Sequence, residues 1–116
     1  MKFLNISAVV VSLTMLPVSA IAQSAPGMLL NWRDTELSHS QCINVAKRSL
    51  SAAGFTDGGV VKNSRGSIAY GFNNGYHGAI RCLQDRNVAV FVVTGKSTER
   101  SVLLGDRLTD YWDGGQ

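Results

Sequence analysis

Cysteine is scarce in this sequence, and its two cysteines lie far apart. Cys42 and Cys82 form no Cys-x-x-Cys pair, the spacing of thiol redox enzymes, and no further ligands stand near them at the short spacing of a zinc site. We therefore expect neither a metal site nor a cofactor. In an oxidising compartment two such cysteines most simply form one disulfide with each other, which we predict here. In the chain-entropy model, a disulfide that closes a loop of about 40 residues adds roughly 4 kcal/mol to the stability of the folded protein.

An excess of charge of one sign is also lacking. The chain has 11 Lys and Arg against 8 Asp and Glu, and both signs are scattered along it without a basic stripe. Domains that bind nucleic acids usually show such a stripe. We therefore expect no nucleic-acid partner.

The N-terminal 22 residues have the pattern of a secretory signal peptide. Lys2 precedes an apolar run of about 13 residues, shorter than the roughly 20 that a bilayer span needs, and Ala20-Ile21-Ala22 is a small-x-small cleavage signature. Cleavage then leaves a chain that starts at Gln23, with cleavage after Ala20 as the alternative. A lipid anchor would need a cysteine directly after the cleavage site, and Gln23 stands there, so we expect no membrane anchor after cleavage. The pattern predicts export to the periplasm or the extracellular space.

Residues 38–54 carry the signals of a first helix. Ser38 and Gln41 match a capping box at its start, and Gly54 fits the left-handed position after its end. Steps of three and four residues separate the members of its apolar stripe, which are Ile43, Ala46, Leu50 and Ala53.

The pattern is that of β-strands from Gly58 to Gly95, with turn residues between short alternating runs. Short turns between neighbouring strands indicate an antiparallel meander. After Gly95, Ser97 or Thr98 caps a last helix, whose inner stripe is expected to be Leu104, Leu108 and Tyr111, with Trp112 beside them and Gly105 permitting close packing.

These elements predict an α+β two-layer sandwich of order α-β-β-β(-β)-α, with both helices on one face of the sheet. We assign residues 1–22 to the signal peptide, 23–37 to an irregular N-terminal arm and 38–116 to a single domain.

The register of the hairpin around residues 73–75 decides which side chains share the core. A two-residue loop pairs Asn73 with Tyr76 and places Phe72 on the face opposite Cys82, whereas a three-residue loop pairs Phe72 with Tyr76 and gathers the large apolar residues around Cys82. We favour the three-residue loop because it assembles the larger core.

One face of the sheet is left open by this arrangement. The run from Val88 to Val93 is apolar on both sides, so its second side also needs cover. The N-terminal arm, a second copy of the chain or a partner protein are the alternatives. A binding surface on the open face is predicted to include His77, Arg81, Arg86, Trp32 and Arg33.

The segment Cys42…Gly54-Phe55…Ala79-Ile80-Arg81-Cys82…Val92-Val93-x-Gly95 resembles small exported bacterial proteins that carry no established activity. The resemblance covers residues 41–95. It implies a fold and an exported location, and it brings no catalytic residues with it.

We assign no catalytic residue, and the sequence favours a non-enzymatic binding or interaction module of the cell envelope. The alternative is a small secreted hydrolase such as a nuclease, which would use His39 and His77 as its acid and base.

Overall fold

The computed structural model of the protein describes residues 26–115. The predicted signal peptide, residues 1–22, lies outside the described residues, as does the start of the predicted arm. In chain order the elements are β1 (Gly27–Asp34), α1 (His39–Ala52), β2 (Thr56–Asn63), β3 (Gly66–Asn73), β4 (Tyr76–Leu83), β5 (Val88–Gly95) and α2 (Thr98–Gly114).

The strands form one antiparallel sheet in the order β1-β5-β4-β3-β2. Strands β2 to β5 are the predicted meander. Helix α1 packs on β2, β3 and β4, while α2 packs on β1 and β5 and also contacts α1. Both helices lie on one face of the sheet, which we call the helix side, and the other is the open face. The predicted α+β arrangement is confirmed.

Strand β1 corrects the prediction of an irregular arm. It pairs with β5 along its whole length, from Gly27 opposite Gly95 to Asp34 opposite Val88. Without β1, the backbone N–H and C=O groups along the outer edge of β5 would lack partners. An apolar segment in extended conformation supplies these hydrogen bonds. The arm therefore extends the sheet sideways and does not fold over the open face.

Helix α1 has the predicted ends. At its start the Gln41 backbone N–H donates to the Ser38 hydroxyl (3.3 Å) and the Ser38 N–H donates to the Gln41 side chain (3.0 Å). At its end Gly54 has φ +94°, and the Phe55 N–H donates to the Leu50 carbonyl (2.9 Å). These bonds are the capping box and the Schellman motif.

Helix α2 begins at the predicted cap, where the Arg100 N–H donates to the Ser97 hydroxyl. The expectation for Tyr111 is wrong, because it is 47% exposed while Trp112 is fully buried. Positions four residues apart keep to one stripe of a helix, so Trp112 continues the line of Leu104 and Leu108. Its indole packs edge-to-face on Phe91, with ring centroids 5.3 Å apart.

The predicted disulfide is present. Cys42 on α1 and Cys82 on β4 are bonded, with their Cα atoms 6.1 Å apart, and both are buried. The bond therefore joins the helix layer covalently to the sheet.

The hairpin register is the second correction, because Asn73 pairs with Tyr76 and the loop has two residues. Asn74 and Gly75 have φ +46° and +83°, the left-handed conformations of a type I′ turn, which Asn-Gly adopts at low cost. The helix side of this hairpin includes two glycines, Gly71 and Gly78. A Cβ at Gly78 would lie 2.8 Å from the Phe55 ring, so the packing of that ring leaves no room for a larger residue at position 78.

Candidate functional site

The open face carries four rows of residues that run across the strands. Cross-strand partners in an antiparallel sheet project on the same side. One of the two inner rows consists of Trp32, Val90, Arg81, Ile68 and Val61. The rows on its two sides consist of Leu30, Val92, Ala79, Tyr70 and Gly59, and of Asp34, Val88 and Leu83. The outermost row consists of Met28, Thr94, His77, Phe72 and Thr56.

Large apolar side chains on this face are open to solvent. Met28, Leu30 and Trp32 on β1 are each more than 60% exposed, and Val61 and Phe72 are 51% and 43% exposed. Four strand spacings and three row spacings give the face a width of about 19 Å and a length of about 20 Å. Contiguous apolar patches of several hundred Å² on a protein surface usually mark interaction sites.

Arg81 lies close to the centre of this face. It is on β4, the middle strand of the five, between Val90 on one side and Ile68 on the other. Its Nε atom is buried and makes no hydrogen bond within the described part of the chain. No ion pair between described residues includes Arg81. The guanidinium is thus a single cationic group in an apolar surround.

His77 belongs to the same face but stands apart from Arg81. Its ring meets Phe72 edge-to-face with centroids 5.0 Å apart, and Phe72 meets Tyr70 in the same way at 6.0 Å. Four residues along one strand separate His77 from Arg81 by roughly 13 Å. The two side chains therefore do not form one compact polar site.

Two of the predicted surface residues lie elsewhere. Arg33 is on the helix side of β1, where its Nε and a second nitrogen donate to the Asp113 carboxylate of α2 at 3.0 and 3.2 Å. That hydrogen bond raises the pKa of Arg33 above its ordinary value. Arg86 lies in the turn between β4 and β5, beside Asp85. Neither joins the open face, which carries the other three of the five predicted residues, Trp32, Arg81 and His77.

The two histidines lie on opposite sides of the sheet. His39 Nε2 is hydrogen-bonded to the Ser67 hydroxyl (2.9 Å) on the helix side, and Ser67 is only 2% exposed. His77 projects from the open face. The sheet between them prevents the pair from acting on one substrate, and the buried Ser67 hydroxyl is out of reach of a substrate.

Several of the large apolar residues of the open face were not predicted to belong to it. The preferred register placed Ile68, Tyr70 and Phe72 in the core, and the arm carrying Met28 and Leu30 was not expected to be a strand. The pair Asn74-Gly75 was the available signal, because it strongly favours the two-residue loop.

No group of three or more His, Cys, Asp or Glu side chains within residues 26–115 is placed to hold a metal ion. None of the helices in that same range combines the length and apolar character needed to cross a bilayer. Neither a protein-family model nor a curated protein sequence matches this chain. The open face is thus the feature from which a function can be argued.

Proposed function

We propose that this protein is an exported, non-enzymatic interaction module whose open face is covered by another protein surface. The observation that carries the proposal is the exposure of Met28, Leu30 and Trp32, each above 60%, at one side of a continuous apolar face. Leaving such a face in water is unfavourable, by about 25 cal/mol for each Å² of apolar surface. A partner surface removes this cost.

The dimensions of the face suit a protein partner. Its footprint of about 400 Å² corresponds to the apolar centre of an interface. A standard interface buries roughly 800 Å² on each partner and surrounds such a centre with a polar rim. Charged residues at the ends of the strands, such as Asp34 and Arg86, would supply that rim.

Export is supported by the signal-peptide pattern of residues 1–22 together with the disulfide between Cys42 and Cys82. Disulfides form and persist in oxidising compartments. Intact-mass analysis of the protein recovered from its native host tests this part. A chain that starts at Gln23 and is two hydrogens lighter than its reduced form supports export, and a retained leader with free thiols contradicts it.

Photo-crosslinking in intact host cells tests the interaction itself. The change Trp32→p-benzoylphenylalanine places a photoreactive ketone on the open face, and Arg107→p-benzoylphenylalanine is the matched control on an exposed position of α2. We expect one discrete protein adduct from position 32 and none from position 107. No adduct at position 32, or the same bands from both positions, would refute the proposal.

A further inference from the structure

We propose that the occupant of the open face is a protein of different sequence, and that its surface presents a carboxylate to Arg81 among apolar side chains. This inference rests on the proposed function, because it specifies the partner of the same face. The observation that supports it is the positive charge of Arg81 near the centre of the face.

Arg81 is the one Lys or Arg side chain in the four rows of the described open face. Its row neighbours Val90 and Ile68 are apolar, and its buried Nε makes no hydrogen bond with any described residue. A partner that covers the face removes water from the rest of the guanidinium. Such desolvation is unfavourable unless an acceptor replaces the water.

A carboxylate is the acceptor that matches this group best. The planar guanidinium donates two parallel hydrogen bonds to the two oxygens of one carboxylate, and the opposite charges strengthen both. The face does not supply this carboxylate itself. Asp34, the acidic residue in its rows, is two strand spacings and one row away from Arg81, or roughly 12 Å.

A second copy of the chain fits the face poorly. In a symmetric dimer the same patch meets itself, and any twofold axis that lets two faces overlap fully runs through their centre. Arg81 would then lie within one row spacing, roughly 7 Å, of Arg81 of the other copy, and like charges buried together oppose association. Pairing with Asp34 of a copy would require the faces to slide by roughly 12 Å, more than half the width of the sheet.

Zero-length coupling tests the carboxylate directly. Mass spectrometry of the photoadduct at Trp32 identifies the partner, which is then purified and mixed with the Arg81→Lys protein. A carbodiimide joins the new amine to an adjacent carboxylate as an amide, with loss of water. We expect a linkage between position 81 and one Asp or Glu of the partner. The Arg107→Lys control, whose amine lies on the other layer, should give none.

Charge reversal provides the second measurement. Arg81→Glu should lower the yield of the Trp32 photoadduct at least tenfold, while Arg107→Glu, which reverses an exposed cation on α2, should leave it within twofold. Replacing the coupled carboxylate of the partner by Lys should restore the yield with Arg81→Glu. Circular dichroism confirms that each variant is folded.

The outcomes separate this inference from the proposed function. A photoadduct to another protein without coupling at position 81, or an undiminished yield with Arg81→Leu, would refute the pairing of Arg81 with a partner carboxylate. Neither result would contradict the proposed interaction module. An adduct with the mass of two copies of this chain would refute only the claim that the partner has a different sequence. No photoadduct overturns both.

Discussion

Loss of the disulfide should remove a large part of the stability of this protein. Cys42 and Cys82 are 40 residues apart in sequence, and the bond restricts the unfolded chain over that loop. In the chain-entropy model a loop of this length costs about 13 cal/mol/K, which is about 4 kcal/mol at 25 °C. For a domain of fewer than 100 residues this corresponds to a fall in Tm of roughly 15–30 °C.

Equilibrium urea unfolding measures this effect on three samples: the oxidised parent, the reduced parent and the Cys42→Ala/Cys82→Ala variant. Fluorescence of the buried Trp112 reports the transition. The reduced parent keeps both sulfur atoms, so its loss reports the cross-link alone, and the further loss in the variant reports the packing of the sulfurs. The dependence of the free energy on urea should also steepen, because the unfolded chain expands without the bond. A loss below about 1 kcal/mol in the reduced parent would refute the reasoning.

Three further changes are measured by the same urea titration. Gly105→Ala should cost about 1–3 kcal/mol because its Cβ would overlap the Leu29 side chain. Gly114→Ala is its control, with no atom near the new Cβ, and equal losses in both would contradict the packing argument. Ser38→Ala should cost about 1 kcal/mol through loss of the capping box, and a neutral result would show that the cap is unimportant. Gly75→Ala should cost roughly 1–2 kcal/mol from backbone strain alone, because φ is +83° in open space, and an unchanged midpoint would argue against strain.

The ends of the helices could be predicted because their signals are local. Ser38 and Gln41 are three residues apart, and Gly54 directly follows the last turn of α1, so a short stretch of sequence holds the whole motif. The disulfide was equally accessible, since two cysteines allow a single intramolecular pairing. The apolar stripe of α2 was predicted correctly at Leu104 and Leu108, but its last member is Trp112 and not the predicted Tyr111.

Strand β1 could not be predicted with the same means, because its partner is remote. Trp32 pairs with Val90, which is far along the chain, and no local turn links the two strands. An edge strand of this kind is defined by the free hydrogen bonds of its neighbour, and a short apolar patch after Pro26 carries little information about them.

The hairpin register was mispredicted for a different reason. Preference went to the arrangement with the larger apolar residues in the core, whereas Phe55 packs closely against the small positions Gly71 and Gly78. The volume on the helix side is filled by the helices and by Phe55 itself. Because Gly71 and Gly78 face the helices, their neighbours Tyr70 and Phe72 lie on the other side of the sheet.

Alternation along the strands divides the sequence into two interleaved sets with different sensitivities. On β4 the even-numbered positions, such as Ile80, face the helices, and the odd-numbered ones face outward; on β5 the parity is reversed, as Phe91 shows. A saturation scan should therefore give a saw-tooth profile. Substitutions at the positions that face the helices should reduce the amount of folded protein. Substitutions at the outward-facing positions should leave that amount unchanged and alter the binding of the partner.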